Sequence, residues 1–373
     1  MSATPSSGRH ALVIGAGLAG AAVAHALAQR GWRVTLLDAA SGPAAAASAL
    51  PVGMLSPHHT RSPTPLSRLT ALGVPLTRAE LQRLVAPGHG WCPTEVDNLD
   101  HDPGRHEAAL VRPGALVRAW LAEATALGRL EARWGQLVSE LTPLDAGGWT
   151  ARGPQGEPLV SAPVAVVAAA LGSRDLLKAA ALPLRPVRGQ MSLGDAAHAD
   201  APTADRPQRR DGVFVPAYRD AGLAAWPAGL WSVGSTFERG ATDTAVRESD
   251  HALNRERLQA IDARAAAAFD LTWAAGGVAG WAQVRCASLD RLPLVGAAPA
   301  LAAGDPRAPL DAWPRARGLY LLTALGSRGL SLAAWCGQRL AEAIDGEPVQ
   351  APQDLWRALD PARFAWRARR RAG

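Results

Sequence analysis

The most distinctive pattern in the chain is a short apolar run that leads into three closely spaced glycines. Ala11–Ile14 are apolar, Gly15, Gly17 and Gly20 follow, and small residues then lead to a second apolar segment that ends at Asp38. This order predicts a strand, a glycine turn, a helix and a second strand. Gly15 permits the tight turn, Gly17 lets the backbone approach a pyrophosphate, and Gly20 lets the helix pack on the strand. The stretch therefore predicts a dinucleotide site.

A signal peptide or a membrane span is the alternative for this stretch, because it is largely apolar. Three glycines at turn spacing, the polar His25 and the strand that follows at once fit neither. A helix beginning at the glycine turn would point its free N–H groups at the phosphates. The Asp38 carboxylate would then accept a hydrogen bond from a ribose hydroxyl.

Two later apolar runs also end in glycine. Pro163–Gly172 has the pattern of a buried strand, and so has Gly318–Gly326, which is followed by a helix pattern over Ser331–Ile344. Between them, from residue 184, alternating segments separated by turn residues predict an antiparallel sheet. The two ends of the chain are thus predicted to share one sheet, so that the nucleotide domain is discontinuous and a substrate domain is inserted in it.

Composition and charge narrow the class of protein less than the pattern does. The chain has 373 residues, a formal net charge of +6 and a sequence pI of about 10.1. This basic balance fits a polyanionic partner such as nucleic acid, but it equally fits a solvated surface, and the arginine-rich tail at residues 363–371 leaves both open. Three widely separated cysteines form neither a disulfide framework nor a metal site, and they fit a reducing cytoplasm. No further segment is long and apolar enough to cross a membrane.

The segment from Pro87 to Arg105 is rich in glycine, proline, histidine and aspartate, and it is predicted to be a loop. His89, His101 and His106 show no recurring ligand spacing, so solvated loop histidines are favoured over a metal site. No metal is expected. The sequence also contains neither a Ser/His/Asp triad nor a P-loop.

Together, the motifs resemble those of the FAD-dependent D-amino-acid-oxidase and glycine-oxidase superfamily. The resemblance is closest to the C-terminal oxidoreductase domain of the bifunctional enzymes that build 5-methylaminomethyl-2-thiouridine in tRNA. It rests on the glycine turn with Asp38 and on segments that keep the same order along most of the chain, at residues 48–57, 166–172, 186–190, 233–244, 248–258, 284–296 and 324–330.

The resemblance implies an α/β fold with a discontinuous, Rossmann-like FAD-binding domain of the glutathione-reductase type and an inserted antiparallel-sheet substrate domain. The expected boundaries are 10–185 and 282–350 for the FAD-binding domain, 186–281 for the substrate domain and 351–373 for a basic C-terminal extension. It further implies FAD as the cofactor and a cytoplasmic oxidoreductase that modifies tRNA.

The implied reaction removes the carboxymethyl group from 5-carboxymethylaminomethyl-(2-thio)uridine at the wobble position of tRNA. A hydride passes from the methylene carbon to the flavin, and water hydrolyses the resulting imine to 5-aminomethyl-(2-thio)uridine and glyoxylate. The protein then has to hold the carboxylate and position the methylene carbon.

The resemblance also assigns residues to the site. Arg285 is expected to hold the carboxylate with its bidentate guanidinium, although a structural salt bridge with Asp290 is the alternative. Arg328 is expected to reach the substrate from the last glycine turn, and Arg188 and Gln190 are further candidates for substrate contact. The expected cofactor-binding residues are Gly15, Gly17, Gly20, Asp38, Ser48, Gly53, Met54, Gly172, Gly326, Ser327, Gly329 and Leu330.

A tRNA substrate would need a basic surface for its phosphates. The arginines available are those of the C-terminal tail and Arg61, Arg68, Arg78 and Arg83, although an ordinary solvated charge is the favoured interpretation of any single one.

The sequence departs from the family pattern in two ways. The turn after Ser48 reads Ala49-Leu50 where the family usually has Gly-Asn, so the contacts there are expected to differ. The chain also begins at the FAD motif, without the methyltransferase domain, and is not expected to methylate. A separate S-adenosylmethionine-dependent methyltransferase would have to complete the modification. Two rival functions remain, an oxidase of free glycine, sarcosine or a D-amino acid, and a flavin-free protein that binds tRNA.

Overall fold

The computed structural model describes residues 8–177, 182–300, 304, 305 and 307–372. In chain order the described strands are β1 (His10–Ile14), β2 (Arg33–Leu37), β3 (Gly53–Leu55), β4 (Trp91–Asn98), β5 (Gly104–Val111), β6 (Leu130–Arg133), β7 (Glu140–Pro143), β8 (Trp149–Arg152), β9 (Pro158–Ala162), β10 (Val164–Val167), β11 (Leu184–Asp195), β12 (Gln208–Arg210), β13 (Gly212–Tyr218), β14 (Leu230–Gly234), β15 (Glu238–Arg239), β16 (Ala279–Ser288), β17 (Leu294–Pro299) and β18 (Arg315–Thr323).

The described helices are α1 (Leu18–Gln29), α2 (Pro65–Leu84), α3 (Pro113–Ala126), α4 (Ser173–Leu176), α5 (Glu248–Ile261), α6 (Ala263–Ala274), α7 (Gly329–Asp345), α8 (Gln353–Leu359) and α9 (Arg363–Ala372). None of the helices in this part of the chain combines the length and the apolar character that a bilayer span needs.

These elements belong to two compact units. Unit 1 consists of the described residues of Met1–Ala45, Val117–Arg185 and Cys286–Gly373, and unit 2 consists of Ala46–Leu116 and Pro186–Arg285. Residues 46–116, which the sequence analysis assigns to the FAD-binding domain, therefore group with residues 186–285.

Unit 1 contains a six-stranded sheet with the order β17-β18-β10-β1-β2-β6. β1 pairs in parallel with β2 and β10, β10 pairs in parallel with β18, and β17 is antiparallel to β18. Leu12, Val13, Val166 and Leu321 on the central strands are fully buried, as expected for parallel strands covered on both faces. Because β1 and β18 come from opposite ends of the chain, the sheet confirms the predicted discontinuous α/β fold. A separate three-stranded sheet, β7-β8-β9, completes the strands of this unit.

Helices α1 and α7 each follow a glycine turn and pack against each other within unit 1. A Cβ atom on Gly337 of α7 would lie 2.8 Å from the carbonyl carbon of Ala22 in α1. A Cβ atom on Gly20 would lie 1.7 Å from the carbonyl oxygen of Gly15. Only residues without a Cβ allow the backbones to approach this closely. The small residues that follow the glycine turn therefore serve the packing of α1 as well as the turn.

An internal ion pair ties the C-terminal helices to the rest of unit 1. The Arg363 side chain is 1% exposed and donates to both carboxylate oxygens of Asp290, at 2.9 and 2.8 Å. Its remaining N–H groups donate to backbone carbonyl oxygens at the end of α8 and before β17. Burial alone would raise the pKa of Asp290, but the Arg363 guanidinium and the Ser288 hydroxyl hold that pKa below its usual value. The first arginine of the basic tail is thus structural, whereas Arg369–Arg371 are exposed.

Unit 2 is organised around a nine-stranded sheet. Eight strands follow the order β15-β11-β14-β13-β12-β4-β5-β3, and β16 pairs with β11. Neighbours along this order are antiparallel except β12 and β4, which are parallel. This is the antiparallel sheet that the alternating sequence pattern predicts.

The two faces of the unit 2 sheet carry separate apolar clusters. Phe214 and Trp231 pack with Leu258 of α5 on one face, whereas Val215 packs in the same cluster as Leu110 on the other. Adjacent residues of β13 thus point to opposite faces, as the two-residue period of a strand requires. Both faces of the sheet are therefore used to build a core.

The prediction of a loop from Pro87 to Arg105 is wrong in part, because this segment contains β4 and the beginning of β5. All eight residues of β4 pair with β5. β4 includes Pro93 and the polar residues Thr94, Glu95, Asp97 and Asn98, so its own pattern is typical of a loop. Pairing with the more apolar β5 determines its conformation.

Gly337→Ala is expected to destabilise the protein although alanine is the better helix former. In an unhindered helix the change would stabilise by about 1 kcal/mol. Here the added methyl group meets the Ala22 backbone, and overpacking of this kind costs roughly 1–3 kcal/mol. Thermal unfolding should therefore show a lower Tm. Gly42→Ala is the control, because a Cβ there meets no atom within 4 Å; an equal shift in both variants would contradict the packing argument.

Asp290→Asn should lower the free energy of unfolding at pH 7 by roughly 3 kcal/mol, because it leaves the Arg363 guanidinium buried without its counter-charge. The folded pKa of Asp290 lies below the unfolded value of about 3.9. The ion pair therefore stabilises fully above that value, and its contribution is lost as the pH falls through the folded pKa. Urea unfolding at pH 7 and near pH 3 measures this. Asp311→Asn, which removes an exposed carboxylate of the same unit, should have little effect at either pH.

Candidate cofactor and substrate site

The glycine turn after β1 has a backbone shape that requires glycine. Gly15 has a φ of +104°, and its N–H donates to the carbonyl oxygen of Leu37 at 2.8 Å. A Cβ atom at this position would lie 2.6 Å from the carbonyl oxygen of Ala168 after β10. The turn therefore lies directly against two neighbouring strands, β2 and β10, of the unit 1 sheet.

The start of α1 has no side-chain cap and lies next to a carboxylate. Gly17 is the N-cap residue, no side chain caps the helix, and its first turn contains no acid. The half-buried Asp38 carboxylate accepts hydrogen bonds from the N–H groups of Ala16 at 2.6 Å and Ala40 at 2.8 Å. An ionised carboxylate has about four acceptor positions, so capacity for a ribose hydroxyl remains. These features fit the adenosine diphosphate part of FAD, with the pyrophosphate at the helix N-terminus.

The other predicted cofactor residues of unit 1 follow strands at the same edge of the sheet. Gly172 closes a short 3-10 helix after β10, and Gly326, with a φ of +56°, follows β18 and donates its N–H to the carbonyl oxygen of Cys286 at 2.9 Å. Ser327 lies in the same turn, Gly329 begins α7 and Leu330 is buried in it. Because β1, β10 and β18 are parallel neighbours, the turns at their C-terminal ends lie at one edge, where ligands of open α/β sheets bind.

Three further predicted cofactor residues belong to unit 2. Ser48 lies in a short 3-10 helix, Ala47–Ala49. Gly53 and Met54 lie in β3, whose partners in β5 include Val111 and Leu110. The Ser48–Met54 segment thus enters the edge of the unit 2 sheet, which its small-residue composition does not predict.

Arg285 in β16 carries a positive charge that no carboxylate of the described residues balances. Its guanidinium donates to the Ser235 hydroxyl at 2.6 Å and to the Thr236 carbonyl oxygen at 3.4 Å. It also lies over the ring of Phe237, at 4.5 Å from the centroid. Burial lowers its pKa to about 10. Such an arrangement favours an anionic ligand, because a counter-charge would offset the free-energy cost of burying the guanidinium.

The alternative of a salt bridge from Arg285 to Asp290 is wrong. The Asp290 carboxylate pairs with Arg363 at 2.8 Å and lies 3.4 Å from Arg367. This pairing could not be read from the sequence, because the partner arginines lie more than seventy residues further along the chain.

Arg188 and Gln190, which are predicted to contact the substrate, take part in an internal hydrogen-bond network. Both side chains are fully buried. Arg188 donates to the Asp250 carboxylate at 2.5 Å and to the Gln190 side-chain oxygen at 3.1 Å, and Gln190 donates to the Arg247 carbonyl oxygen at 2.8 Å. The backbone N–H of Gln190 donates to the Thr236 hydroxyl at 2.9 Å. The network therefore fixes the Ser235–Phe237 segment that carries the partners of Arg285.

Gly189 is a further residue that the sequence analysis missed. A Cβ atom on Gly189 would lie 2.2 Å from Nη2 of Arg285 and 2.5 Å from its Cζ. The guanidinium thus lies close to the backbone of β11 at Gly189 as well as over the Phe237 ring. Gly189 does belong to a segment that resembles the family, but its contact with a residue almost a hundred positions away is visible only in the fold.

The remaining predicted arginines differ in their surroundings. Arg328 immediately precedes α7, and burial lowers its pKa. Arg78 donates to the Glu107 carboxylate at 3.1 Å and Arg83 to that of Glu80 at 2.9 Å, so part of the predicted phosphate-binding charge is compensated. Arg61 is exposed. The predicted basic surface is therefore weaker around α2 than the sequence suggests.

Comparison with known proteins identifies the family of this chain. The family described as FAD dependent oxidoreductase matches residues 10–110 and 104–343. The chain belongs to this family. FAD is therefore the cofactor, the protein is an oxidoreductase, and the flavin-free alternative is excluded.

Curated relatives and solved structures agree with this assignment. The tRNA 5-methylaminomethyl-2-thiouridine biosynthesis bifunctional protein MnmC of Verminephrobacter eiseniae is 34% identical over 97% of this chain and 65% of its own length, and that of Paracidovorax citrulli is 37% identical over 95% of this chain and 60% of its own length. The chain thus spans less than two thirds of these relatives. Glycine oxidase from Geobacillus kaustophilus has a TM-score of 0.70 at 18% identity, covering 95% of this chain and 99% of its own, and shows that the fold is shared. Iminodiacetate oxidase from Chelativorans sp. BNC1 has a TM-score of 0.68 at 19% identity, and the match covers 92% of this chain and 97% of the oxidase.

Arg285→Met tests whether this guanidinium serves a ligand or the fold. Because its charge is uncompensated, removal should leave the free energy of unfolding unchanged or raise it by up to about 1 kcal/mol, and methionine can still pack on the Phe237 ring. Arg112→Met is the matched control, because Arg112 pairs with Asp220 at 2.7 Å in the same unit and its removal should cost roughly 3 kcal/mol. A similar loss of Tm in both variants would assign Arg285 a structural role.

Proposed function

We propose that this oxidoreductase removes the carboxymethyl group from 5-carboxymethylaminomethyl-(2-thio)uridine at the wobble position of tRNA, giving 5-aminomethyl-(2-thio)uridine and glyoxylate. The names of its relatives, which describe tRNA 5-methylaminomethyl-2-thiouridine biosynthesis, support this substrate. Since this chain spans only 60–65% of their lengths, the proposal concerns the oxidation step alone. A tRNA substrate also implies action in the cytoplasm.

The observation that carries the proposal is the uncompensated charge of Arg285. The substrate has one carboxylate, next to the methylene carbon that is oxidised. The guanidinium is planar, which suits bidentate binding of that carboxylate, and its contacts with the Phe237 ring and the Gly189 backbone restrict the orientation of the plane. Binding would replace the missing counter-charge and fix the orientation of the N–CH2–COO⁻ group.

The reaction needs little acid–base chemistry from side chains. When bound, FAD supplies the acceptor for the two electrons and the hydrogen that leave the methylene carbon. The substrate amine can lose its proton to water, so no side chain has to act as a base. Water then adds to the C=N bond, and the C–N bond breaks to release the primary amine and glyoxylate. The proposed contribution of the protein is to hold the carboxylate through Arg285, with Arg328 as the second candidate for substrate contact.

A methylaminomethyl group, named in the relatives, contains one carbon more than the proposed amine product. Its formation would require an S-adenosylmethionine-dependent methyltransferase acting after this step. The exposed arginines Arg369–Arg371 at the end of α9 are proposed contacts for tRNA phosphates, together with Arg61. Arg370 also lies over the Trp366 ring at 4.9 Å, so an arginine and an indole are available together.

Oxidation of a free amino acid is the second candidate function. It is favoured by the solved structures of similar fold, which are named glycine oxidase and iminodiacetate oxidase. Arg285 would bind the carboxylate of these substrates equally well, so the carboxylate site does not decide between the two functions. The two functions differ in the part of the substrate that Arg285 would not bind.

Purified holoenzyme incubated with tRNA from cells that lack this enzyme should convert the carboxymethylaminomethyl nucleoside to the aminomethyl nucleoside, as measured by mass spectrometry of the digested tRNA. Arg285→Met should lower kcat/KM by roughly 100- to 1,000-fold, because the carboxylate loses a charged partner. Arg285→Lys should retain more activity, because the charge remains while the planar fork is lost. Arg255→Met, which removes an arginine paired with Asp270 in the same unit, should leave the rate unchanged.

Parallel incubations with glycine, sarcosine and D-alanine separate the two candidates. Unchanged carboxymethyl nucleoside together with rapid oxidation of one of these amines would overturn the tRNA proposal in favour of the second function. The effect of salt on tRNA retention gives an independent check, since phosphate contacts weaken steeply with ionic strength.

A further inference from the structure

We propose that His59, Asp102 and His106 form a binding site for a divalent transition-metal ion, with Zn²⁺ as the best-suited ion. His59 lies between β3 and α2, Asp102 lies in the turn between β4 and β5, and His106 lies in β5. All three belong to unit 2, and none of them has a role in the oxidation proposed above. The inference therefore stands apart from the proposed function.

The distances between the three side chains match a metal site. One ligand atom from each residue lies within 4.8 Å of the other two. His59 Nδ1 is 2.8 Å from Asp102 Oδ2, and His106 Nε2 is 3.7 Å from the same oxygen. With metal–ligand bonds of about 2.0–2.1 Å, tetrahedral ligand atoms lie roughly 3.4 Å apart. The two edges at Asp102 would change by about 0.6 and 0.3 Å to reach this spacing, and the edge between the two histidine nitrogens is at most 4.8 Å.

Local contacts already fix the turn that carries Asp102. The Asn98 side-chain amide donates to the Asp102 carbonyl oxygen at 2.8 Å. Asp102 has a φ of +61°, a conformation that aspartate and asparagine adopt more readily than most residues. The imidazole rings of His59 and His106 lie 4.2 Å apart between centroids. Three ligands from three parts of unit 2 are thus brought together before any ion binds, which lowers the entropic cost of binding.

The types of ligand select the class of ion. Two imidazole nitrogens and one carboxylate oxygen suit Zn²⁺, Co²⁺ or Ni²⁺, whereas Mg²⁺ and Ca²⁺ prefer oxygen ligands alone. The side chain of Asp102 is 61% exposed, so the fourth position would be open to water. The ion would replace the hydrogen bond between His59 and Asp102 and the bond of 2.9 Å between His106 Nε2 and the Asp102 carbonyl oxygen.

The positive charge of the neighbouring Arg209 limits the affinity of the site for a metal ion. The Arg209 guanidinium acts on His59 electrostatically and would repel a cation. It donates to the Asn98 side-chain oxygen at 3.1 Å and to the Ser56 hydroxyl at 2.7 Å. A site with three protein ligands and this neighbour should bind Zn²⁺ less tightly than a structural site with four.

The test uses FAD-loaded enzyme without an affinity tag, dialysed against a chelator and then titrated with ZnCl2 by calorimetry. We expect one Zn²⁺ per chain, confirmed by elemental analysis after gel filtration. Asp102→Asn, which keeps the turn conformation, and His106→Gln should each raise the Kd at least about tenfold. His101→Gln is the matched control, because His101 lies in the same turn but outside the cluster.

Flavin absorbance and Tm would verify that each variant is folded. No Zn²⁺ binding to the folded parent enzyme would overturn the proposal and leave the cluster as a hydrogen-bonded brace of the β4–β5 hairpin. Binding that survives both Asp102→Asn and His106→Gln would also overturn it. An equal loss in His101→Gln would assign the binding to exposed histidines in general.

Discussion

The close approach of backbone segments in unit 1 is the constraint on which the cofactor site depends. The turn at Gly15 lies against the ends of two strands, and α1 starts so close to it that position 20 has no room for a side chain. A residue without a Cβ atom is likewise required at Gly337, where α7 meets α1. Because both helices are held this near the sheet, the uncapped start of α1 and the Asp38 carboxylate lie at one edge. The geometry that fits a dinucleotide is thus a consequence of how the sheet is packed.

Arg363, which is fully buried, and Arg285, which is half-buried, differ in whether a carboxylate balances their charge. Arg363 has the Asp290 carboxylate and several carbonyl oxygens as partners, and it anchors α9. Arg285 has a hydroxyl, one carbonyl oxygen and an aromatic ring, but no described carboxylate. Folding alone would not maintain the second arrangement, since burying an unpaired cation costs stability. A bound carboxylate would restore the balance, which is why the unpaired guanidinium is the stronger indication of a site.

Features with a local physical cause could be predicted from the sequence. The glycine turn, the buried strands that precede Gly172 and Gly326 and the alternating strands of the inserted sheet all follow from steric requirements or from periodicity. Features made by distant residues could not. Arg188 looked like a substrate ligand because its acid partner, Asp250, is 62 residues away. Gly189 was missed for the same reason, since the guanidinium that it accommodates comes from another strand.

The hydrogen-bond network around Arg188 matters for the proposed reaction because it holds the segment that contacts Arg285. Gln190 holds Thr236 through its backbone and Arg247 through its side chain, while Arg188 ties Gln190 to Asp250. Ser235 and Phe237, which orient Arg285, flank Thr236 in the chain. A rigid polar network is costly unless every member is bonded, but it fixes direction better than apolar packing does. Arg188 and Gln190 therefore bear on the substrate indirectly. They hold the segment that orients the Arg285 guanidinium, and this guanidinium is proposed to bind the substrate.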